Sequence, residues 1–257
     1  MKKILVLVSL AVGALIGCKE NDNPASSDNT GQMQVTMVDA PAAAYDSIII
    51  TVRRVEIHAS NSASAESWIT LNSETKTYNL LSLVNGIEAV IGEGKLTAGS
   101  YTQMRLVLGD SCYVYANGVS IALKVPSSEI KLNINATVQA GFTYKLVLDF
   151  DATRSLVTTG GGMILKPVIK VLTTTSTGVI EGSVNTKASV TAIGNNDTLS
   201  TITGVNNSFK IVYARPGTYN VTIVSANAQY YDTTLTNISV VSGQTTNVGT
   251  INLRAKL

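Results

Sequence analysis

Charge, sulfur and imidazole are all scarce in this chain. Only 14% of its residues are charged, and it has two cysteines, one histidine and one tryptophan. Each scarcity excludes some chemistry. One histidine, His58, cannot furnish both the base of a catalytic triad and a metal-ligand set. No serine stands in a nucleophile-elbow pattern. Two cysteines cannot build a Cys₂His₂ or Cys₄ zinc site. No block of like charge suggests an interaction tail, and no basic patch argues for nucleic acid. The longest apolar run, Ile4 to Ile16, is too short to span a bilayer, which takes about 20 apolar residues. After it no sustained 3.6-residue period appears, so an α-helical fold is excluded.

What is present begins with an address. Met1-Lys2-Lys3, the apolar run and Leu15-Ile16-Gly17-Cys18 have the order of a signal peptide. The last four residues resemble the lipobox of bacterial lipoproteins. The resemblance implies cleavage before Cys18 and a diacylglyceryl group on its thiol, so the membrane is the expected partner through that lipid. Removing residues 1–17 takes away Lys2 and Lys3, which leaves 17 basic residues against 17 acidic ones. Residues 18–31 are polar and rich in Ser, Asn, Pro and Gly, and read as a flexible tether. Lys19-Glu20 resembles the surface-export signal of Bacteroidetes lipoproteins. Asp, which holds enterobacterial lipoproteins at the inner membrane, is absent after Cys18. The expected location is the outer membrane, on its surface or its periplasmic face.

The rest reads as two β-sandwiches of immunoglobulin or transthyretin type, 32–172 and 179–257, joined by the polar connector 173–178. In the first, strand signals cover Gln34–Val38, Ser47–His58, Trp68–Leu71, Tyr101–Leu108, Cys112–Tyr115, Val119–Val125, Ile130–Ile134, Tyr144–Phe150 and Ile164–Leu172. The second segment changes parity. Ile48, Ile50 and Val52 share one face, whereas Val55 and Ile57 fall on the other, so a β-bulge is predicted at Arg53-Arg54. Tyr78–Leu83 suits a single helical turn, and Gly160-Gly161-Gly162 a hairpin loop before Ile164. Cys112 reads as a buried, inert thiol. Downstream, Val179–Val184, Ser189–Ile193, Ser208–Val212, Thr218–Ser225, Ile238–Val241 and Val248–Leu253 suggest six or seven short strands. Gly99-Ser100-Tyr101 and Gly217-Thr218-Tyr219 repeat one device, a turn glycine with φ > 0 and a tyrosine that covers the sandwich end with its hydroxyl in water.

A resemblance rests on segments in order through 32–172. They are Val38-Asp39-Ala40-Pro41, Ile50-Thr51-Val52 through Val55-Glu56-Ile57-His58, Trp68 with Leu71, and Tyr78-Asn79-Leu80-Leu81. Then come Gly99-Ser100-Tyr101 through Met104-Arg105-Leu106, Lys124-Val125-Pro126-Ser127, Leu148-Asp149-Phe150-Asp151-Ala152 with Ser155, and Leu165-Lys166-Pro167-Val168. This first domain resembles the domain-of-unknown-function family 4382, which implies no established activity. Gly178-Val179-Ile180-Glu181-Gly182-Ser183-Val184, Phe209 and Arg215-Pro216-Gly217-Thr218-Tyr219-Asn220-Val221 resemble a carboxypeptidase-regulatory-like domain, which implies a non-catalytic transthyretin-like sandwich.

Asp149 and Asp151 are the foremost chemical candidates. With Leu146, Leu148 and Phe150 on the core face, both carboxylates project from the other face, and Asp39 joins them if the strand ends meet. Two readings are open: a Ca²⁺ site, which needs six or more oxygens, or solvated strand-end residues bonded to turn amides. His58 lies beside Glu56 on the expected solvent face, which suits an ion pair. Asp46-Ser47-Ile48, Asp197-Thr198-Leu199 and Asp232-Thr233-Thr234 resemble an O-glycosylation motif of exported Bacteroidetes proteins, with Ser47, Thr198 and Thr233 as acceptors; ordinary Asp and Thr turn chemistry is the other reading. The functional expectation is a non-enzymatic surface module for adhesion or for binding a glycan or protein. A structural envelope or fimbria-like subunit is the alternative, and a polysaccharide-acting enzyme a third.

Overall fold

The computed structural model describes residues 29–39, 45–59, 68–173 and 177–256. The expected signal peptide 1–17, Cys18, the expected tether as far as Asp28, Ala40 and Pro41, and residues 174–176 of the expected connector lie outside the described residues.

The protein is all-β and built of sandwiches. Its first strands are β1 (Thr30–Asp39), β2 (Ser47–Ala59), β3 (Trp68–Asn72), β4 (Lys76–Asn79), β5 (Ala89–Thr97) and β6 (Gly99–Leu108). They continue as β7 (Tyr113–Ala116), β8 (Val119–Lys124), β9 (Glu129–Val138), β10 (Thr143–Phe150), β11 (Leu156–Thr159), β12 (Gly162–Leu165) and β13 (Ile169–Thr173). One layer has the order β13-β10-β1-β5, with β1 parallel to β10. The facing layer runs β11-β12-β8-β7-β2-β6-β9, and β3 and β4 also pair with β2. Met33, Val35, Ile48, Ile50, Leu106, Leu148 and Phe150 interdigitate between the layers in one core.

The second sandwich holds β14 (Gly178–Val184), β15 (Ala188–Gly194), β16 (Asp197–Ile202), β17 (Ser208–Ala214), β18 (Gly217–Ser225), β19 (Thr233–Val240) and β20 (Thr245–Ile251). Its layers are β17-β14-β20 and β16-β15-β18-β19. Ile180, Val190, Phe209, Tyr219, Val221 and Ile223 form its core.

Local chemistry explains the departures from regular strands. The pairing of β2 with β6 shifts between Val52 and Arg54, so Arg53 is the extra residue of the expected bulge. Arg53 and Arg54 are both exposed, and Val55 and Ile57 return to the core. The expected strand Ile164–Leu172 is two strands, β12 and β13, which belong to different layers. Pro167 between them has no N–H for a ladder. The 3₁₀ turn Leu80–Ser82 is capped by Asn79, whose side chain accepts from Leu81 N. A short helix, α1 (Ala152–Ser155), follows β10 and is capped by Asp151.

Both corner tyrosines differ from expectation in one respect. Gly99 and Gly217 do adopt positive φ, at 157° and 151°. The tyrosine hydroxyls, however, turn back to the chain: Tyr101 Oη donates to Thr97 O at 2.9 Å and Tyr219 Oη to Arg215 O at 3.0 Å. The rings are almost wholly buried, so a backbone acceptor four residues upstream replaces water.

Candidate functional site at the interdomain seam

The second face of the β13-β10-β1-β5 layer is covered at its C-terminal end. Val38 of β1, Val147 of β10 and Leu172 of β13 pack with Tyr213 of β17 in a small apolar cluster of their own. This corrects the expectation that the face carrying Asp149 and Asp151 is solvated. Val147 is fully buried and Asp149 half-buried because the second sandwich lies against them.

Polar contacts frame that apolar seam. Lys170 stands directly opposite Asp149 in the β10–β13 pairing and reaches over to β16. Its Nζ donates to both carboxylate oxygens of Asp197, at 2.6 and 2.8 Å. The Tyr213 hydroxyl donates to Glu88, whose other oxygen pairs with Lys145. Asn85 Oδ1 accepts from Lys210 N on the edge strand β17. Asn85 and Gly86 are both left-handed, at φ 60° and 79°, and a Cβ at residue 86 would stand 3.0 Å from Lys210 Cδ. Glycine at residue 86 suits both the left-handed turn and its close approach to β17.

Tyr213 holds the least usual backbone at the seam. Its φ is +61°, which a bulky residue rarely adopts. The β14–β17 pairing shifts at that point, with Gly178 opposite Ala214 but Ile180 opposite Ile211. The bulge thus swings the Tyr213 side chain across the junction. Burial, reinforced by its bond to Glu88, pushes the phenol well above its usual titration range.

A cleft of about 260 Å³ opens beside the seam, lined by Asn85, Asp149, Asp151, Arg154, Thr198 and Lys210 among others. Burial is the largest cause that raises the Asp149 carboxyl, to about 6. Lys170 opposes the rise, and Asp151 and Asp197 add to it.

The structure does bring the ends of β1 and β10 together, with Asp39 opposite Phe150. It gives two of the three carboxylates backbone partners. Asp39 Oδ1 accepts from Ala152 N and Asp151 Oδ1 from Arg154 N, each at 2.9 Å. Among the described residues no three His, Cys, Asp or Glu side chains are gathered as a metal site. One oxygen of Asp39 and one of Asp151 are thus engaged at the start of α1.

The other candidates fall elsewhere. Glu56 pairs with Arg105 and Arg54, not with His58, because Arg105 is its direct neighbour across β2–β6. The His58 ring meets Trp68 edge-on, with centroids 5.1 Å apart. Cys112 lies inside the first core, its Sγ 3.4 Å from Gly109 O, and burial pushes its thiol up. The aspartates before Ser47, Thr198 and Thr233 all accept backbone bonds: Asp46 from Gly118 N, far along the chain, Asp197 from Thr198 N, and Asp232 from Ser225 N. Of the three hydroxyl residues, Thr198 is exposed and the others are half-buried.

Lys170, Glu88, Asn85 and Tyr213 were not singled out from the sequence. Each is an ordinary strand or turn residue until its partner in the other sandwich is known. The sole local sign is the Asn85-Gly86 dipeptide, a turn signal.

Residues 30–167 match the profile of a family described as a domain of unknown function, DUF4382. The chain belongs to this family. No curated protein matches the chain. Among solved structures it is similar to part of a cohesin–X–dockerin complex from Acetivibrio cellulolyticus, at 24% identity over 30% of this chain and 58% of that one, with a TM-score of 0.25. It is also similar to the minor pilin GBS52 of Streptococcus agalactiae, at 11% identity over 88% and 97% of the two chains, TM-score 0.24. The shaft pilin SpaA of Lactobacillus rhamnosus GG matches at 8% identity over 88% and 98%, TM-score 0.25.

Proposed function

We propose that this DUF4382 protein is a non-catalytic structural module of the bacterial envelope, anchored through lipid on Cys18 and holding its two sandwiches as one stiff unit. The observation that carries the reading is the seam. A bidentate Lys170–Asp197 pair, the Tyr213–Glu88–Lys145 chain and the Val38–Val147–Leu172–Tyr213 cluster tie one sandwich to the other. Tandem domains in general move relative to each other unless such an interface restrains them. A spacer or stalk that transmits position from a membrane needs that restraint. The three-plus-four-stranded second sandwich supports its assignment as a carboxypeptidase-regulatory-like domain, a type without catalytic residues. A binding module for glycan or protein is the second reading, and the cationic outer face of the nine-stranded layer favours it.

The test is a distance measurement across the joint. Spin labels at Ser120→Cys and Thr236→Cys, both exposed strand positions, report the separation of the sandwiches in chain 19–257. A stiff unit gives one narrow distance distribution, broadened when Lys170 and Tyr213 are both replaced by Ala. A parent distribution as broad as the variant's refutes the spacer reading. Loss of palmitate incorporation in Cys18→Ala tests the anchor separately.

A further inference from the structure

The outer face of β3, β2, β6 and β9 turns away from both cores. The strand register sets its side chains in rows. One row crosses the four strands as Thr70, Glu56, Arg105 and Lys131, and the next as Trp68, His58, Gln103 and Asn133. Along a strand the rows stand about 7 Å apart. The bulge adds Arg53 and Arg54, both exposed, beside the first row.

Charge on this face is unbalanced. Arg53, Arg54, Arg105 and Lys131 confront Glu56 and Glu129. Arg105 and Lys131 are direct cross-strand neighbours, a like-charge placement that Glu129 offsets in part by pairing with Arg105 at 3.8 Å. Glu56 neutralises part of the patch, pairing with both Arg54 and Arg105. It is almost fully buried beneath the guanidinium groups, and although burial raises its carboxyl, Arg105 and Arg54 outweigh that and hold it below its ordinary value. Arg105 is held by Glu56, by Glu129 and by the Trp68 ring, whose centroid lies 4.6 Å from Cζ. Arg53 and Lys131, both exposed, belong to none of these pairs and give the face its excess of positive charge.

We infer that this face binds an acidic polysaccharide, with sugar carboxylates on the exposed Arg53 and Lys131 and sugar hydroxyls on the Trp68–His58–Gln103–Asn133 row. The neutral row singles out a glycan over an acidic protein segment, because its amide, imidazole and indole groups match hydroxyls and no second set of carboxylates. The paired strands β3, β2, β6 and β9 offer a continuous sheet face, which suits an extended polymer. This inference goes beyond the spacer reading and stands whether or not the joint is stiff.

Affinity electrophoresis of chain 19–257 through gels containing polygalacturonate tests it, with neutral dextran and polyglutamate as parallel probes. Polygalacturonate is expected to retard the protein, and added salt to abolish the effect. The double variant Arg53→Gln and Lys131→Gln, at two exposed positions, is expected to weaken retardation about tenfold, the scale of one or two charge-assisted contacts. Trp68→Leu is expected to weaken it about fivefold, with circular dichroism confirming the fold of each variant. Absence of retardation by polygalacturonate overturns the inference, as does retardation unchanged in either variant. Equal retardation by polyglutamate, insensitive to Trp68→Leu, also overturns it and identifies an acidic-protein surface instead.

Discussion

At the scale of single residues, Tyr213 is where local preference and tertiary demand conflict. Its backbone is left-handed, which costs a non-glycine residue roughly 1 kcal/mol or more. What offsets the cost is the side chain: a buried ring in the seam and a hydroxyl bonded to Glu88. Truncation therefore has an unusual order. In a strand, glycine ordinarily destabilises by about 0.5–1 kcal/mol relative to alanine. At residue 213 alanine keeps the strain and loses the ring, whereas glycine loses the ring and the strain together. Urea unfolding is expected to find Tyr213→Gly more stable than Tyr213→Ala by about 1 kcal/mol, both below the parent. The customary order, alanine above glycine, would mean that the bulge relaxes without its tyrosine.

At the scale of elements, alternation did most of the work of reading this chain, and its failures share a cause. The β2 bulge was legible because Val52 and Val55 are both apolar and sit on opposite parities; only an extra residue reconciles them. The register makes the consequence testable. Val52 lies opposite Leu108 and Arg54 opposite Val107. Deleting Arg53 leaves Val52 in, Arg54 out and Val55 in, a regular strand, so the variant is expected to fold with a loss of about 1 kcal/mol or less. Deleting Glu56 instead throws Val55 or Ile57 out of the core and is expected to prevent folding. Thermal melting of the two variants distinguishes these outcomes, and equal damage from both would show that the bulge itself holds the layer. By contrast β5 was not legible. Its core-facing positions include Gly92 and Gly94, where a Cβ would stand 3.1 Å from Val55 and Leu71 side-chain atoms. Close approach of the layers requires glycine there, and glycine carries no apolar signal. β16 was hidden similarly, since Asp197, Thr198, Ser200 and Thr201 read as turn residues.

At the scale of the whole molecule, the two sandwiches are coupled through groups that titrate. Asp149, Asp151 and Asp39 were recognisable as chemistry from the sequence, but their surroundings were not. A strand face that alternates polar and apolar residues looks solvated until another domain covers it. Asp149 shows what the cover does. Unfolded, its carboxyl titrates near the ordinary value of 3.8; folded, it titrates at about 6. The folded state therefore holds the proton more tightly. The group's contribution to stability is greatest below the unfolded value, declines as pH rises toward about 6, and is flat above it. The full difference is about 3 kcal/mol at most. The groups facing Asp149 are Lys170, Asp151 and Asp197, and Lys170 also donates to Asp197 at 2.6 Å. Asp149→Asn supplies a neutral side chain of the same shape at every pH. It is expected to be more stable than the parent by about 2–3 kcal/mol at about pH 8, with the gain vanishing near about pH 4. Paired urea titrations at the two pH values measure this directly. A gain of the same size at both would assign the effect to packing, and no gain at the higher pH would show that Lys170 fully compensates the buried carboxylate. The expected profile makes the Asp149 contribution larger in mild acid than at neutral pH, opposite in sign to that of a salt-bridged carboxyl, because burial has already made this one reluctant to ionise.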